Sequence, residues 1–274
     1  MKMEFDKFSG AKNIFLIGEK QNLTEDSLKK ITKKICDPFD GFFADGAVFM
    51  ETLGPNEFKW HFYNSDGSSA EMCGNAVRCA HRFIKNKNPQ ADTVTIHTLS
   101  GKIISRFQND LFYVQMTKPS QPRVQDLSFG IFDPPFELIE FKSVASTEAY
   151  FVDTGVPHLV IEIHRWEEAL KLKEMWLFLR KHRHFSKGTN VTLVQIQSPN
   201  SVKAISFERG VDDFTQACGT GAVAAALYVE SKTNQKQITV TMPGGSLSVD
   251  TSKESPILSG QAITVGHVII ELEG

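Results

Sequence analysis

A Cys-Gly step that opens an apolar helical pattern occurs twice in this chain, and the two occurrences are in register. Glu71-Met72-Cys73-Gly74-Asn75-Ala76-Val77-Arg78-Cys79 returns in altered form as Gln216-Ala217-Cys218-Gly219-Thr220-Gly221-Ala222, with Cys73 and Cys218 145 positions apart. The same offset relates Gly10 to Gly155, Asn13 to His158, Asp45 to Asn190, Phe62 to Phe207 and Asn64 to Arg209. With a slip of one, Val94–Ile104 resembles Ile238–Val249, a strand, a Gly turn and a second strand in both. A repeat this long implies two structurally equivalent lobes related by a pseudo-twofold, an arrangement that would set the two cysteines face to face.

A length of 274 residues suits two domains of ordinary size. Pro119, Gln121 and Pro122 interrupt the strand pattern and mark the expected crossing between lobes. The final strand, Val268–Leu272, follows the second repeat and has no counterpart in the first, so it is expected to return to the first lobe's sheet. The resulting domains are 1–118 plus 263–274, carrying Cys73, and 119–262, carrying Cys218.

Between these landmarks the pattern predicts a strand at Asn13–Ile17, a helix at Thr24–Ile35, turns through Cys36–Gly46, and strands at Ala47–Met50 and Phe58–Tyr63. After Gly74 an amphipathic helix runs to about Asn86, followed by strands at Thr93–Thr98, Lys102–Phe107 and Leu111–Met116, whose short turns require antiparallel pairing. In the second half, strands are expected at Tyr150–Val152, His158–Ile163, Val191–Ile196 and Ala204–Phe207, with one long helix at Trp166–His182. Ala222–Val229 is apolar almost all round, which marks a helix wrapped on every side. Pro134-Pro135 and His182-Arg183-His184 read as surface features, the latter solvated and not metal-binding.

Net charge is −2 with acids and bases interspersed, which offers no electrostatic footprint for nucleic acid or an anionic membrane and leaves a small molecule as the expected partner. The opening MKMEFDKFSG lacks the apolar core of a signal peptide or a membrane span, so a cytoplasmic location is expected. Four cysteines do not make a disulfide scaffold, and Cys36 and Cys79 read as incidental thiols. The sequence shows no zinc-like Cys/His grouping, glycine-rich nucleotide fingerprint or phosphate loop.

A helix N-terminus presents unpaired N–H groups and the positive end of the dipole, so it cradles a carboxylate. Glycine after the cysteine lets a ligand approach that backbone, and the dipole favours the thiolate of a cysteine at the helix start. Two such units acting on one carbon can remove a proton from one face and return one to the other. A lone cysteine at a helix start is more often a small buried hydrophobe. Two at equivalent repeat positions, each followed by Gly, favour catalysis.

Phe62-Tyr63-Asn64-Ser65-Asp66-Gly67, Met72–Cys79, Gly155-Val156-Pro157-His158, Asn190-Val191, Phe207-Glu208-Arg209-Gly210 and Ala217-Cys218-Gly219-Thr220-Gly221 together resemble the diaminopimelate epimerase family over essentially the whole chain. The resemblance implies an α+β fold of two pseudo-symmetric lobes, each a mainly antiparallel sheet rolled around a central helix. It implies epimerisation of LL-2,6-diaminopimelate to the meso form, an isomerase step in lysine and peptidoglycan precursor synthesis that needs no metal, pyridoxal phosphate or other cofactor. Carried over by position, Cys73 and Cys218 are the acid and base, with His158 orienting or activating Cys73. Gly74, Asn75, Gly219 and Thr220 hold the reacting carboxylate, and Asn13 lines the site. Arg209 clamps the distant carboxylate with Asn64 and Asn190. Glu208 is both a catalytic candidate and the receiver of an ammonium group. A guanidinium fork suits a carboxylate, and a carboxylate suits an ammonium.

The chain departs from the family at Lys12-Asn13-Ile14 and at Val156, where an amide is common. Partners are expected to be the small-molecule substrate diaminopimelate, with no nucleic acid or membrane, and a homodimer is left open. Competing readings are a racemase of another amino acid such as proline or hydroxyproline, a thiol redox protein pairing Cys73 with Cys218, and a non-catalytic binding protein on the same fold.

Overall fold

The computed structural model describes residues 2–127 and 138–271, so Pro134-Pro135 lies outside the described residues. The chain divides into two compact units, Met1–Gln115 with Ser259–Gly274, and Met116–Leu258. Met116 already belongs to the second unit because its N–H donates to Pro256 O. Gln261 and Ala262 belong to the first, where their carbonyls accept from Arg78 and Arg82.

The first unit contains β1 (Lys2–Gly10), β2 (Asn13–Glu19), α1 (Glu25–Cys36), β3 (Gly46–Gly54), β4 (Glu57–Asn64), α2 (Gly74–Lys87), β5 (Thr93–Thr98), β6 (Gly101–Gln108) and β7 (Leu111–Gln115). The last strand, β16 (Ile263–Glu271), pairs antiparallel with β1. Strand order is β16-β1-β2-β3-β4-β5-β6-β7. Among the described residues, β2 with β3 and β4 with β5 pair in parallel. Parallel neighbours need a crossover, and α1 and α2 supply one each.

The second unit repeats this plan with β8 (Ser120–Asp126), α3 (Leu138–Val144), β9 (Ala145–Asp153), β10 (Pro157–Ile163), α4 (Trp166–Ala169), α5 (Lys173–Lys181), β11 (Asn190–Ser198), β12 (Ser201–Phe207), α6 (Gly219–Thr233), β13 (Gln237–Met242) and β14 (Gly245–Asp250). β15 (Ile257–Gly260) spans the boundary between units. The order β8-β9-β10-β11-β12-β13-β14 again has two parallel pairs, β10 with β11 and β12 with β13, crossed by α4/α5 and by α6.

In each unit the sheet curls around one helix. α2 packs on β1, β2, β3, β6, β7 and β16, and α6 on every strand from β9 to β14. The opposite sheet face is covered by α1 in one unit, through Leu28, Ile31 and Ile35 against Leu16, Ala47 and Phe49. In the other, Met175, Trp176 and Leu179 pack on Leu159, Ile161, Val191, Leu193, Ile205 and Phe207. Side chains alternate between faces. Because Leu159, Val191 and Phe207 point outward, His158, Asn190, Thr192 and Ser206 are turned toward α6.

Among the differences from the sequence reading are β8, the break between α4 and α5, and β1. The segment around Pro122 is an edge strand, β8, and an edge tolerates a proline because the missing N–H would point away from the ladder. Gln121 there has φ +55° and the register slips between Ser120 and Arg123, marking a bulge. The expected helix Trp166–His182 breaks into α4 and α5, because the Ala169 carbonyl accepts from Leu172 N at 3.1 Å and the Trp176 indole N–H at 2.8 Å. β1 escaped the pattern because a register shift between Lys7 and Phe8 interrupts its alternation.

Candidate active site

Both Cys-Gly steps sit at helix starts. Cys73 is the N-cap of α2, with φ −147° and ψ 118°, and Cys218 is the N-cap of α6, with φ −127° and ψ 112°. Neither helix has an acidic residue in its first turn, so neither positive end is neutralised from within.

In the first unit Asn13 is the hub. Its Oδ1 accepts from Cys73 Sγ at 3.9 Å and from Asn75 Nδ2 at 3.4 Å, while its Nδ2 donates to Asp45 Oδ2 at 2.6 Å. Asp45 also takes the Ile14 N–H at 2.7 Å, which fixes the start of β2. Asn75 is fully buried and Cys73 half-buried. β1 passes so close to α2 that a Cβ on Gly10 would lie 2.9 Å from Asn75 O and 3.1 Å from Cys79 Sγ. Asn64, at the exposed end of β4, donates to Ser68 Oγ at 2.9 Å.

In the second unit Thr220 is the hub, at the repeat position of Asn75. Its hydroxyl lies 3.0 Å from His158 Nε2 and 3.4 Å from Cys218 Sγ. His158 Nδ1 meets Thr192 Oγ1 at 2.8 Å, and Thr192 Oγ1 meets Ser206 Oγ at 3.0 Å. Asn190 is used internally at both ends, its Nδ2 3.4 Å from His158 Nε2 and its Oδ1 accepting Arg209 N at 2.8 Å. The Cys218 sulfur accepts Gly221 N at 3.3 Å, and Gly221 must be glycine because a Cβ would fall 2.3 Å from Ser206 Oγ. Glu208 acts on Cys218 through its charge and a hydrogen bond, and its Oε1 accepts from the Thr215 hydroxyl. The Arg209 guanidinium donates to Lys187 O at 2.8 Å and pairs with no carboxylate among the described residues.

Electrostatics in the second unit run against the expected thiolate. Burial and the Glu208 carboxylate push the Cys218 thiol up, outweighing the opposing hydrogen bonds from Thr220 and Gly221. His158 is held neutral, its pKa lowered to about 3 by burial and by Arg209. Cys36 and Cys79 are thiols raised to about 12 by burial. Thr192, Ser206, Thr215 and Asp45 complete the two clusters without having been singled out from sequence. Asp45 carried a signal, as the repeat partner of Asn190, and Thr192 and Ser206 are polar interruptions of apolar strands. No group of three or more His, Cys, Asp or Glu among the described residues is arranged to hold a metal ion, and no described helix is long and apolar enough to cross a membrane.

The family model described as diaminopimelate epimerase matches residues 5–121 and 150–265, which together include both clusters. The chain belongs to the diaminopimelate epimerase family. The diaminopimelate epimerase of Aquifex aeolicus is 35% identical over 268 residues, covering 92% of this chain and 91% of its own. That of Carboxydothermus hydrogenoformans is 35% identical over 269 residues, covering 95% and 96%.

Solved structures extend the fold beyond this family of epimerases. A Bacillus anthracis phenazine biosynthesis protein of the PhzF family superposes with a TM-score of 0.75 at 11% identity, over 99% of this chain and 100% of that one. A hydroxyproline epimerase from Agrobacterium vitis gives 0.68 at 12% identity, over 98% and 91%. At such identities the likeness is one of fold.

Proposed function

We propose that this chain interconverts LL- and meso-2,6-diaminopimelate, with Cys73 serving one face of the α-carbon and Cys218 the other. The observation that carries the reading is the pair of N-cap cysteines at equivalent ends of two equivalent units, each with a polar hub bonded to its sulfur. The helix starts at Gly74-Asn75 and Gly219-Thr220 supply N–H groups for the reacting carboxylate and stabilise the charge that builds on it as the α-proton leaves. Glu208 takes the proton of Cys218 when that sulfur must act as base. His158 stays neutral and is assigned to orienting the thiol chemistry through the Thr220 hydroxyl.

Recognition of the second amino-acid end falls to Arg209, whose guanidinium carries five N–H donors and, among the described residues, donates to Lys187 O. Asn64, exposed at the end of β4 and the repeat counterpart of Arg209, is assigned the same end. A proline-sized substrate has no second carboxylate to meet Arg209, which favours diaminopimelate over the racemase alternative.

Incubating the purified chain with LL-diaminopimelate, L-proline and trans-4-hydroxy-L-proline, and resolving the stereoisomers by chiral chromatography, tests the reading. Appearance of meso-diaminopimelate with both prolines unchanged is expected. Inversion of a proline with diaminopimelate untouched would overturn it.

A further inference from the structure

Arg78 is fully buried, one turn into α2 behind Cys73-Gly74-Asn75. Its Nη2 donates to Asn75 Oδ1 at 2.9 Å, its Nε to Gln261 O at 3.3 Å and its Nη1 to Gly74 O at 3.4 Å. No Asp or Glu among the described residues pairs with it. The titratable groups that act on it, counting the strands β1, β2, β3, β6, β7 and β16 packed on α2, are Cys73 and Cys79, and Cys79 is locked as a thiol by burial. A buried cation normally has an anion beside it, since an uncompensated buried charge is strongly unfavourable.

The repeat gives this isolation a meaning. The position equivalent to Arg78 is Val223, and the position equivalent to Glu208 is Tyr63. One half-site therefore has a buried guanidinium behind its cysteine, and the other has a carboxylate beside its cysteine. Two-face proton exchange needs one sulfur deprotonated and the other protonated before substrate arrives.

We propose that Arg78 is a positioning residue that makes the half-sites electrostatically opposite, its charge holding Cys73 as the resting thiolate while Glu208 keeps Cys218 the resting thiol. This rests on the two-thiol reading of the site. The same side chain aims the Asn75 carboxamide. With Oδ1 held by Arg78, Asn75 Nδ2 is directed to Asn13 Oδ1, the oxygen that also accepts from Cys73 Sγ. The Gly74 and Gln261 carbonyls do not by themselves require a charged donor, because a backbone carbonyl is also satisfied by a neutral one.

The test is the rate of iodoacetamide alkylation of ligand-free protein against pH, read separately at the Cys73 and Cys218 peptides by mass spectrometry. In the unsubstituted chain the Cys73 midpoint is expected below that of Cys218. Arg78→Met should raise the Cys73 midpoint by about one pH unit or more, as loss of a nearby opposite charge does. Cys218 should be unmoved, while Arg78→Lys, which keeps the charge, should hold the Cys73 midpoint within about half a pH unit. A folded Arg78→Met protein with an unchanged Cys73 midpoint would overturn the proposal, whatever its melting temperature. If Arg78→Met does not fold, Arg78→Lys decides alone, because a shift as large as a full unit with the charge retained overturns it too. Alkylation requires no turnover. A chain that fails to epimerise diaminopimelate yet shows these shifts would lose the proposed activity and keep the role of Arg78.

Discussion

The Thr220 hydroxyl stands between His158 and Cys218, 3.0 Å from the imidazole Nε2 and 3.4 Å from the sulfur. This one side chain couples the neutral histidine to the thiol and opposes the upward push of burial on Cys218. Thr220→Val keeps the shape and removes the link. A neutral hydrogen bond is worth about 0.5 to 1.5 kcal/mol, so kcat/KM should fall roughly 2- to 12-fold with little change in melting temperature. Unaltered kinetics would mean that the hydroxyl is only a structural filler.

Arg209 leads to a larger effect. Its backbone N–H is anchored by Asn190 Oδ1 at 2.8 Å, but the guanidinium has no carboxylate partner among the described residues. Arg209→Ala should lower kcat/KM for diaminopimelate by about ten- to over a hundred-fold, the worth of a hydrogen bond to a charged group at about 1.5 to 3 kcal/mol. Thermal stability should be nearly unchanged, since only the bond to Lys187 O is lost. Wild-type kcat/KM in this variant would remove Arg209 from the substrate's distal end.

Much of this site was legible because repeat offsets translate into contacts. Asn13 pairs with Asp45 and His158 with Asn190, and these two pairs are related by the 145-residue offset that links Cys73 to Cys218. The helix starts were legible from Gly74 and Gly219, and the central position of α6 from its all-round apolar sequence. What could not be read depended on tertiary placement. The helix dipole that favours a Cys218 thiolate is local and readable from the motif, whereas the burial and the Glu208 carboxylate that push the thiol up are brought by the fold. The solitude of Arg78 is likewise invisible in a motif, where arginine looks like any helix-surface residue. β8 and the broken α4/α5 pair were missed where an edge position and the Trp176 indole override local signals.

His81, on α2, predicts how stability varies with pH. Its Nε2 lies 2.8 Å from Ala91 O and its Nδ1 2.8 Å from Ser105 Oγ, which suits a neutral ring donating to the carbonyl and accepting from the hydroxyl. Burial lowers its pKa to about 4. Because the folded value lies below the unfolded one, the unfolded chain takes up the proton first as pH falls. Stability is therefore full above about pH 6.5 and is lost progressively below it, at up to roughly 1.4 kcal/mol per pH unit for each such histidine. His158, lowered to about 3, acts in the same direction. Denaturant melts between pH 7 and 5 should show falling stability, and His81→Gln, which can keep a donor and an acceptor, should flatten the slope. An identical slope in the variant would show that His81 is not a source of the acid sensitivity.

The central claim is that two different sulfurs serve the two faces of one carbon. LL-diaminopimelate turned over in deuterated water, with early product examined by mass spectrometry and NMR, tests this most directly. If Cys73 and Cys218 act on opposite faces, the proton removed by one is not the proton delivered by the other. Meso product from the first turnover should then carry solvent deuterium at the inverted centre while unreacted substrate remains largely protonated, and Cys73→Ala or Cys218→Ala should each abolish epimerisation. Substantial retention of the original proton in early product, or full activity in either alanine variant, would contradict the account.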